Sequence, residues 1–379
     1  MGADHDGSQP RGPMGPLTPL GMLLEPLYRG AIARINRRRD RGEGVERLGV
    51  PVVSVGNLSV GGTGKTPMVM HVVGALLRAG RRPCIAMRGY APTGAKTEGG
   101  PDEADSYRRA LPGVPVVARP DRAAGVRNLL EAGGPERPDC VVLDDGFQHR
   151  QIARELDIVL VDASRPPLED RLLPAGWLRE PVESLRRAGA IVLTHAELVD
   201  EGAIERLLDG LRSAAGWKSG GGVEAVCRHV WTHLEIGDGR AALDWLIGKR
   251  VVGCCGIGHP RAFERSLRAT VGSSGLVEMM ALRDHDPFSP ATVRRLVETA
   301  GRTGAAAIVV TDKDWSKLRR TPEADWPCPV VRPRLEMVFD RGGLELESRV
   351  LSAVSGLARG GRGAGGAGGG GDAGGAWGT

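Results

Sequence analysis

The amino-acid sequence predicts an α/β protein, in which a parallel sheet covered by helices on both faces is joined to a second, smaller α/β domain. Two observations support this prediction. Short apolar runs alternate with helical patterns along most of the chain, and strands separated by helices pair in parallel. The run that begins at Val50 breaks into a glycine-rich turn and restarts as a helix at Gly64-Lys65-Thr66. That order is typical of a phosphate-binding P-loop, so the fold is predicted to be P-loop NTPase-like.

Composition and charge narrow the possible functions. The chain has 379 residues, 41% of them hydrophobic, which is enough for two or three domains with sizeable cores. The six cysteines are scattered without a Cys-x-x-Cys pair, so neither a zinc site nor a disulfide framework is expected. A net charge of +5 favours anionic partners such as nucleotide phosphates or an anionic bilayer. No nucleic-acid partner and no protein partner is predicted.

Composition also divides the chain. Residues 1–16 are polar and lack the apolar core of a signal peptide, so they are predicted to be disordered and the protein to be cytosolic. Residues 17–215 are predicted to form the P-loop domain, and 216–355 a second α/β domain after a glycine-rich break. The glycine-rich tail, 356–379, cannot bury enough apolar surface to fold. No apolar run approaches the ~20 residues that would cross a membrane.

The first predicted element is a basic amphipathic helix from Leu20 to Arg39. Such a helix can lie in a lipid headgroup layer, or it can pack on the domain with a solvated basic end. Both interpretations stay open on these residues. The apolar positions at helical spacing are Leu20, Leu24, Leu27, Tyr28, Ala31 and Ile35, and the basic residues are Arg29, Arg34, Arg37, Arg38 and Arg39.

Strands and helices then alternate. Strands are predicted where short apolar runs are bounded by turn residues, and helices where apolar residues recur at helical spacing. In the first domain the strands are Val50–Val55, Pro83–Met87, Val114–Ala118, Cys140–Leu143, Asp157–Val161 and Ala190–Leu193, and the helices include 67–78, 122–132 and 203–214. In the second domain residues 226–236 alternate like a strand, and further strands are predicted near Arg250–Cys255, Ala306–Thr311 and Pro329–Val331.

The glycine-rich turn is suited to a nucleoside triphosphate. Its glycines can adopt backbone angles that point successive N–H groups inward at the positive end of the following helix. Lys65 would reach the outer phosphates, and the hydroxyl of Thr66 would ligate Mg²⁺. Ser59 stands where the pattern usually has its first glycine, and an ordinary glycine turn is the alternative. The predicted nucleotide-binding residues are Ser59, Val60, Gly61, Gly62, Thr63, Gly64, Lys65 and Thr66.

A second motif follows the predicted strand Cys140–Leu143 and reads Asp-Asp-Gly-Phe-Gln-His, residues 144–149. An apolar strand that ends in acidic residues downstream of a P-loop is typical of a Walker B element, whose carboxylate holds Mg²⁺. Because parallel strands end at one edge of the sheet, Asp144 and Asp145 are predicted to lie near the P-loop and to bind the metal. Alternatively, the two carboxylates cap a turn before Gly146. A turn cap does not explain the Phe-Gln-His that follows.

Six segments together resemble the tetraacyldisaccharide 4'-kinase family. The P-loop is shared by many proteins, whereas the second and third segments are far more diagnostic. The family also has serine at the position of Ser59, and the resemblance runs from about Leu20 to Val350. The segments are SVGNLSVGGTGKTP (54–67), LDDGFQHR (143–150), RLLPAGWLREP (171–181), GIGHPRAF (256–263), RDHDPF (283–288) and VTDKD (310–314).

The resemblance implies ATP- and Mg²⁺-dependent phosphorylation of the 4'-hydroxyl of a tetraacyl glucosamine disaccharide 1-phosphate, a step of lipid A biosynthesis. It implies a membrane-embedded glycolipid substrate, a membrane-facing N-terminal helix and a peripheral position on the cytoplasmic face of the inner membrane. The family carries an acidic pair after an Arg-Gly-Tyr segment, which corresponds here to Asp102 and Glu103, although the flanking residues differ. By this resemblance Asp102, supported by His285, would accept the hydroxyl proton, and Lys65 would act in the transfer.

A P-loop NTPase switch, such as a metallochaperone-type GTPase, is the alternative function. It would share the P-loop and the acidic pair, but it should add metal ligands and a guanine-reading Asn/Thr-Lys-x-Asp element. The segment from Thr311 to Asp314 resembles that element superficially, but its spacing is wrong because Asp314 directly follows Lys313. Adenine is therefore the expected base. His195, just after a predicted strand, is given no role.

Overall fold

The structure is a computed structural model that describes residues 17–89, 101–134, 137–218, 220–258, 260–272, 274–283, 286–319 and 321–360. The helices are α1 (Thr18–Asp40), α2 (Lys65–Arg78), α3 (Pro101–Ala110), α4 (Arg122–Glu131), α5 (Glu201–Ala215), α6 (Pro260–Val271), α7 (Pro290–Thr303), α8 (Asp312–Leu318) and α9 (Gly343–Gly360). The strands are β1 (Val52–Asn57), β2 (Pro83–Arg88), β3 (Val116–Arg119), β4 (Cys140–Asp144), β5 (Leu156–Asp162), β6 (Ala190–Thr194), β7 (Val223–Ile236), β8 (Gly239–Ala241), β9 (Val251–Cys255), β10 (Leu276–Ala281), β11 (Ala307–Val310) and β12 (Val330–Arg341).

The described strands form one 12-stranded sheet in the order β10-β9-β11-β12-β7-β6-β5-β1-β4-β2-β3, with β8 paired to β7. Neighbouring strands are parallel, except that β7 runs antiparallel to β12 and to β8. The predicted fold class is confirmed, and each predicted strand has a counterpart. The patterns do not predict β8 or β10, and Pro329–Val331 covers only the start of β12. Because both halves share one sheet, the division into two domains at residue 216 stays a prediction.

Strands β1, β4, β5 and β6 form the centre of the first half, and every residue in them is buried. Continuous apolar runs are what strands of a parallel sheet need when both of its faces are covered. Side chains of β5 alternate between the two faces: Ile158 packs in the cluster that contains Val72 of α2, and Val159 in the cluster that contains Leu207 of α5. The expected helices therefore cover both faces of the sheet.

The loops that follow β1, β4, β5 and β6 meet at one edge of the sheet. Strand β1 lies between β4 and β5, parallel to both, with Val55 opposite Asp144 and Asn57 opposite Leu160. Strand β6 pairs with β5 in the same direction. Ligands of open α/β sheets bind at the carboxyl ends of the strands, so this edge is where a site is expected.

Helix α1 lies on the surface and confirms the predicted N-terminal helix. Its inner side packs closely on the chain, since a Cβ on Gly21 would lie 3.0 Å from the carbonyl oxygen of Pro174. No helix in the described part of the chain is both long and apolar enough to cross a membrane. The outer side of α1 and the residue before it expose large apolar side chains: Leu17, Leu20, Met22, Leu23, Leu24, Leu27 and Ile35.

Candidate active site

The loop between β1 and α2 has the backbone of a phosphate-binding turn. Gly61 and Gly64 adopt positive φ angles of 128° and 80°, and α2 begins directly afterwards at Lys65. No described side chain caps the start of α2, so its first N–H groups can bind an anion at the positive end of the helix dipole. Only glycine fits at position 64, because a Cβ there would also lie 2.7 Å from Nε2 of His229.

Asn57, the last residue of β1, holds the start of this loop. Its Nδ2 donates to the carbonyl of Ser59 at 2.8 Å, and its Oδ1 accepts from Nζ of Lys65 at 3.4 Å. Nε2 of Gln148 donates to the carbonyl of Asn57 at 2.9 Å. The N–H of Val60 donates to a carbonyl of the RLLPAGWLREP segment at 2.8 Å. Three of the motifs recognised in the sequence therefore meet at the P-loop.

Lys65 and Arg179 both hold Asp145. Nη1 of Arg179 donates to each carboxylate oxygen of Asp145 at 2.9 Å, and Nζ of Lys65 lies 3.7 Å from Oδ1. Burial alone would raise the pKa of Asp145, but the two cations outweigh burial and lower this pKa. Asp145 is also in the left-handed region, with φ of 49°. It is therefore a fixed anion that positions Lys65 at the P-loop.

Asp144, one residue earlier, has a different environment. It is buried at the end of β4, and its Oδ2 accepts a hydrogen bond from the hydroxyl of Tyr107 at 3.0 Å. Its Oδ1 has no hydrogen-bond partner within the described residues. Burial raises the pKa of this carboxyl group. Arg122 donates to the backbone carbonyls of Asp144 and Asp145 at 2.8 and 3.2 Å, which holds the acidic turn in place.

The oxygen atoms at this point suit a divalent cation. A buried carboxylate oxygen without a partner is unfavourable, and Mg²⁺ prefers hard oxygen ligands of this kind. Oδ1 of Asp144 is such an atom, and the hydroxyl of Thr66 lies in the first turn of α2. Both oxygens of Asp145 already accept from Arg179. The donor set therefore fits Mg²⁺, with Asp144 better placed than Asp145 to contact it directly.

His149 ends the acidic motif and is half-buried. Burial, together with the nearby Arg122 and Arg154, lowers the pKa of His149 to about 4. The ring is therefore neutral at physiological pH. Its Nε2 is buried and has no hydrogen-bond partner in the part of the chain that the structure describes, so its capacity for a hydrogen bond is unused.

Helix α3 brings the predicted base to the same region. Asp102 is the second residue of α3, and Tyr107 on the same helix donates to Asp144. Five residues of helix separate Asp102 from Tyr107 by ~7.5 Å along the axis. Helix α3 also contacts α8, which begins within the VTDKD motif. His285, the second predicted catalytic residue, lies outside the described residues, so its pairing with Asp102 stays a prediction.

Two motifs of the second half of the sheet also meet each other. Asp314 of VTDKD is fully buried. Its carboxylate accepts from the hydroxyl of Thr311 at 2.6 Å and from the N–H of Gly256 at 3.1 Å. Asp314 therefore ties the loop after β9, which starts GIGHPRAF, to the start of α8. This carboxylate supports the loops and does not lie at the P-loop.

A further cluster lies on the opposite side of the P-loop, after β6. The hydroxyl of Thr194 donates to the carbonyl of Thr63 at 3.0 Å, and Nε2 of His195 lies 3.4 Å from the carbonyl oxygen of Gly62. Nδ1 of His195 faces Oε1 of Glu197 at 3.4 Å. His195 has a φ of 57°, in the left-handed region that non-glycine residues rarely adopt. The residues after β6 are thus attached to the phosphate loop.

The ring of His229 completes this cluster. Its ring centroid lies 4.3 Å from that of His195, with 30° between the two planes. One ligand atom from each of His195, Glu197 and His229 lies within 4.8 Å of the others, which is close enough to share a metal ion. A metal must lie in the plane of each imidazole it binds, and the planes of two stacked rings do not converge on one ion. The cluster is therefore better described as two stacked rings against a carboxylate.

Comparisons with known proteins identify the family of the chain. A family model of tetraacyldisaccharide-1-P 4'-kinase matches residues 17–352. The chain belongs to this family. The tetraacyldisaccharide 4'-kinase of Anaeromyxobacter dehalogenans (strain 2CP-C) is 40% identical over 325 residues, covering 81% of this chain and 83% of that protein. The same enzyme from Syntrophus aciditrophicus (strain SB) is 34% identical over 337 residues, covering 81% and 87%.

A solved structure agrees with the family assignment. The crystal structure of LpxK from Aquifex aeolicus in complex with ATP has a TM-score of 0.68 and 30% sequence identity to this chain, covering 89% of this chain and 99% of that one. The tetraacyldisaccharide-1-P 4'-kinase family places the chain among the kinases of lipid A biosynthesis, as the motifs predict. The alternative of an NTPase switch is not favoured.

Several residues of this candidate site are given no role by the sequence patterns. Arg179 lies inside the recognised RLLPAGWLREP motif, but its contact with Asp145 has no local signal. Tyr107 and Arg122 belong to no motif. Glu197 follows Thr194 at the spacing of the Asn/Thr-Lys-x-Asp element, and that spacing could have identified the cluster after β6.

Proposed function

We propose that this chain transfers the γ-phosphate of ATP to the 4'-hydroxyl of a tetraacyl glucosamine disaccharide 1-phosphate. The observation that carries the proposal is the P-loop with Lys65 held against Asp145, next to an oxygen of Asp144 that has no hydrogen-bond partner among the described residues. Relatives named tetraacyldisaccharide 4'-kinase support this acceptor. The ATP bound in the crystal structure of LpxK supports this donor.

The phosphates of ATP would bind along the loop from Ser59 to Thr66. N–H groups of the loop and of the first turn of α2 would contact the phosphate oxygens. Lys65 would offer its charge to the outer phosphates, while Asn57 and Asp145 hold its Nζ in position. These contacts fix the γ-phosphate and help to neutralise the charge that spreads over its oxygens during transfer.

Mg²⁺ would be held by the hydroxyl of Thr66 and by Asp144, and when bound it would supply positive charge next to the phosphates. Asp145 would contribute to the metal site indirectly, because it positions Lys65 and Arg179 beside that site. The raised pKa of Asp144 has a consequence for binding. A proton competes with the metal for this carboxylate, so Mg²⁺ affinity should fall as the pH is lowered.

Asp102 would act as the general base toward the 4'-hydroxyl. Its carboxylate would accept the hydroxyl proton as the oxygen attacks the γ-phosphorus and the bond to the β–γ bridging oxygen breaks, releasing ADP. His285 would orient the carboxylate. Two observations support this role: the family resemblance at the acidic pair, and the position of Asp102 on α3, which is tied to Asp144 through Tyr107.

Helix α1 would bind the membrane surface on the cytoplasmic face of the inner membrane, where it meets the glycolipid. Leu23 and Leu27 on its outer side are 75% and 72% exposed, and burial of leucines in the acyl boundary is favourable. Arg34 and Arg37 are exposed further along the helix, where they can attract anionic headgroups. On the inner side, the hydroxyl of Tyr28 donates to the carbonyl of Arg179, which connects the helix to the site.

The transfer reaction tests the proposed activity. Radiolabelled γ-phosphate of ATP is followed into detergent-solubilised tetraacyl disaccharide 1-phosphate by the wild type and by the variants Lys65→Ala, Asp102→Ala and Asp105→Ala. The wild type and Asp105→Ala, an exposed carboxylate on the same helix, should label the glycolipid. Lys65→Ala and Asp102→Ala should lose ~100-fold or more of the rate.

Two results would contradict the proposal in different ways. Nucleotide hydrolysis by the wild type without any labelled glycolipid would refute the kinase activity toward this acceptor. Normal turnover by Asp102→Ala would leave the activity in place and remove Asp102 as the base.

Vesicle flotation tests the membrane contact separately. Vesicles that contain anionic phosphatidylglycerol should carry the wild type to the top of a density gradient, and the double variant Leu23→Glu/Leu27→Glu should stay at the bottom. Leu344→Glu is the matched control, because Leu344 is 82% exposed on α9. Equal flotation of the double variant and the wild type would rule out the outer side of α1 as the membrane contact.

A further inference from the structure

The contacts described above concern the phosphates of the triphosphate and leave its nucleoside end without assigned residues. Lys65 and the acidic pair after β4 mark the γ-phosphate end. The strand order in this part of the sheet is β4-β1-β5-β6, with the P-loop after β1. A triphosphate that lies across the loop therefore directs its nucleoside away from β4, toward the carboxyl ends of β5 and β6. The residues at the end of β6 and directly after it are Thr194, His195, Ala196 and Glu197.

This four-residue segment is fixed to the phosphate loop by two polar contacts. The hydroxyl of Thr194 donates to the carbonyl of Thr63, and Nε2 of His195 lies next to the carbonyl of Gly62. His195 adopts a left-handed backbone to reach this position, with φ of 57°, and such backbone outliers cluster where a site fixes geometry. The next polar side chain, Glu197, therefore lies on a segment that is attached to the P-loop.

Glu197 is a fixed hydrogen-bond acceptor. Its Oε2 accepts from the N–H of His229 at 3.2 Å, and its Oε1 faces Nδ1 of His195 at 3.4 Å. Burial would raise the pKa of Glu197, but hydrogen bonds with His195 and with backbone N–H groups together outweigh burial and lower this pKa, which favours the charged carboxylate. A charged carboxylate accepts and cannot donate. Its side chain remains 24% exposed, so a ligand with an N–H donor can reach it.

We infer that Thr194–Glu197 is the nucleobase-recognition element of this kinase, with Glu197 accepting a hydrogen bond from the exocyclic amino group of adenine. The inference rests on the proposed use of ATP. The segment has the spacing of the Asn/Thr-Lys-x-Asp element, with His195 at the lysine position and a glutamate at the aspartate position. Each oxygen of Glu197 already contacts a histidine, which favours one further donor over the paired donors of guanine.

The other segment of similar composition is in the wrong place for this role. Residues 311–314 follow β11, and four strands, β12, β7, β6 and β5, lie between β11 and β1 in the sheet. Their carboxylate Asp314 is buried and is used by Thr311 and Gly256. The segment after β6 is therefore the one whose position beside the P-loop suits a nucleobase.

A comparison of two nucleotides isolates the proposed hydrogen bond. ATP and purine riboside 5'-triphosphate differ only in the 6-amino group, and their affinities for the full chain are measured by calorimetry. The wild type should bind ATP about tenfold or more tightly than the analogue. Glu197→Ala should bring this ratio close to one, and Glu197→Gln, which keeps a neutral acceptor, should give an intermediate ratio. Glu183→Gln, which changes an exposed glutamate that is not part of this cluster, should keep the wild-type ratio.

Each outcome of this comparison either supports or overturns the role inferred for Glu197. If Glu197→Ala weakens both nucleotides equally and keeps the ratio, Glu197 only supports the loop and the inference is overturned. A wild-type ratio near one, together with a labelled glycolipid in the transfer assay, overturns the inference and leaves the proposed function intact. No ATP binding by the folded wild type overturns both. If Glu197→Ala does not melt cooperatively and is therefore not folded, the ratio of the two nucleotide affinities measured for Glu197→Gln is used instead.

Discussion

Replacement of the two adjacent aspartates by asparagine should change stability in opposite directions. Asp144 is buried and its pKa is raised, so the fold disfavours its charged form. Asp145 is held by Lys65 and Arg179 and its pKa is lowered, so the fold favours its charged form. Asparagine has nearly the shape of aspartate, can still accept from Tyr107, and tolerates the left-handed φ of 49° at position 145.

The pH dependence follows from the direction of each shift. Because the pKa of Asp144 is higher in the folded state, its contribution to stability is full below the unfolded pKa of about 3.9 and is lost as pH rises through the folded pKa. Asp144→Asn does not titrate there, so without Mg²⁺ it should exceed the wild type at high pH by roughly 1 kcal/mol. Because the pKa of Asp145 is lower in the folded state, its contribution to stability is full above the unfolded pKa and is lost as pH falls through the folded pKa. Asp145→Asn should therefore be less stable than the wild type by about 1–2 kcal/mol at high pH.

Thermal melting in EDTA at several pH values measures both effects. With an unfolding entropy of about 2.1 cal/mol/K per residue over roughly 340 folded residues, 1 kcal/mol moves Tm by about 1.5 °C. At pH ~8 the Tm of Asp144→Asn should therefore rise by about 1.5 °C, and that of Asp145→Asn should fall by about 1.5–3 °C. Added Mg²⁺ and ATP should stabilise the wild type more than Asp144→Asn. Tm shifts of the same sign in both variants, or an Asp144→Asn variant less stable than the wild type in EDTA at high pH, would refute the opposite environments inferred for Asp144 and Asp145.

Three further changes test the supporting contacts. Gly64→Ala must place a Cβ at a φ of 80° and 2.7 Å from an imidazole nitrogen, so calorimetry should show ATP affinity reduced by about tenfold or more. Tyr107→Phe removes a hydrogen bond that lowers the pKa of Asp144, so the Mg²⁺ concentration for half-maximal activity should rise, most at low pH. Arg179→Ala removes the cation that donates to both oxygens of Asp145, so kcat should fall about tenfold, whereas an unchanged kcat would exclude a positioning role.

The fold class was accessible from sequence because the central strands are apolar almost throughout. A strand covered on both faces, such as β4 or β5, has few polar positions to obscure it. The sequence does not predict the long strand β12 beyond its first residues. After Val331 it continues with charged and half-exposed side chains such as Arg332, Glu336 and Asp340, which resemble a loop until β7 pairs with them. Strand β10 has Glu278 within a short run and is obscured in the same way.

The residues of the site also differ in whether a local sequence pattern can identify them. Residues of the P-loop and of the acidic motif are consecutive, so a short motif is enough to identify them. Tyr107 and Arg122 reach Asp144 from 37 and 22 residues away along the chain. No local pattern distinguishes a tyrosine that contacts a site carboxylate from one that fills a core. Glu197 is an exception, because its spacing from Thr194 matches that of the Asn/Thr-Lys-x-Asp element. This match is informative only for a segment that lies beside a P-loop.

The RLLPAGWLREP segment shows why one short motif can be so diagnostic. Its backbone pairs with the chain just before the P-loop, where the N–H of Arg179 donates to the carbonyl of Leu58 at 2.7 Å. The guanidinium of Arg179 holds Asp145, and its carbonyl accepts from Tyr28 of α1. A single residue therefore contacts the chain just before the phosphate loop, the acidic turn and the N-terminal helix. Substitutions in the segment must satisfy all three neighbours at once, which leaves few sequences that fit.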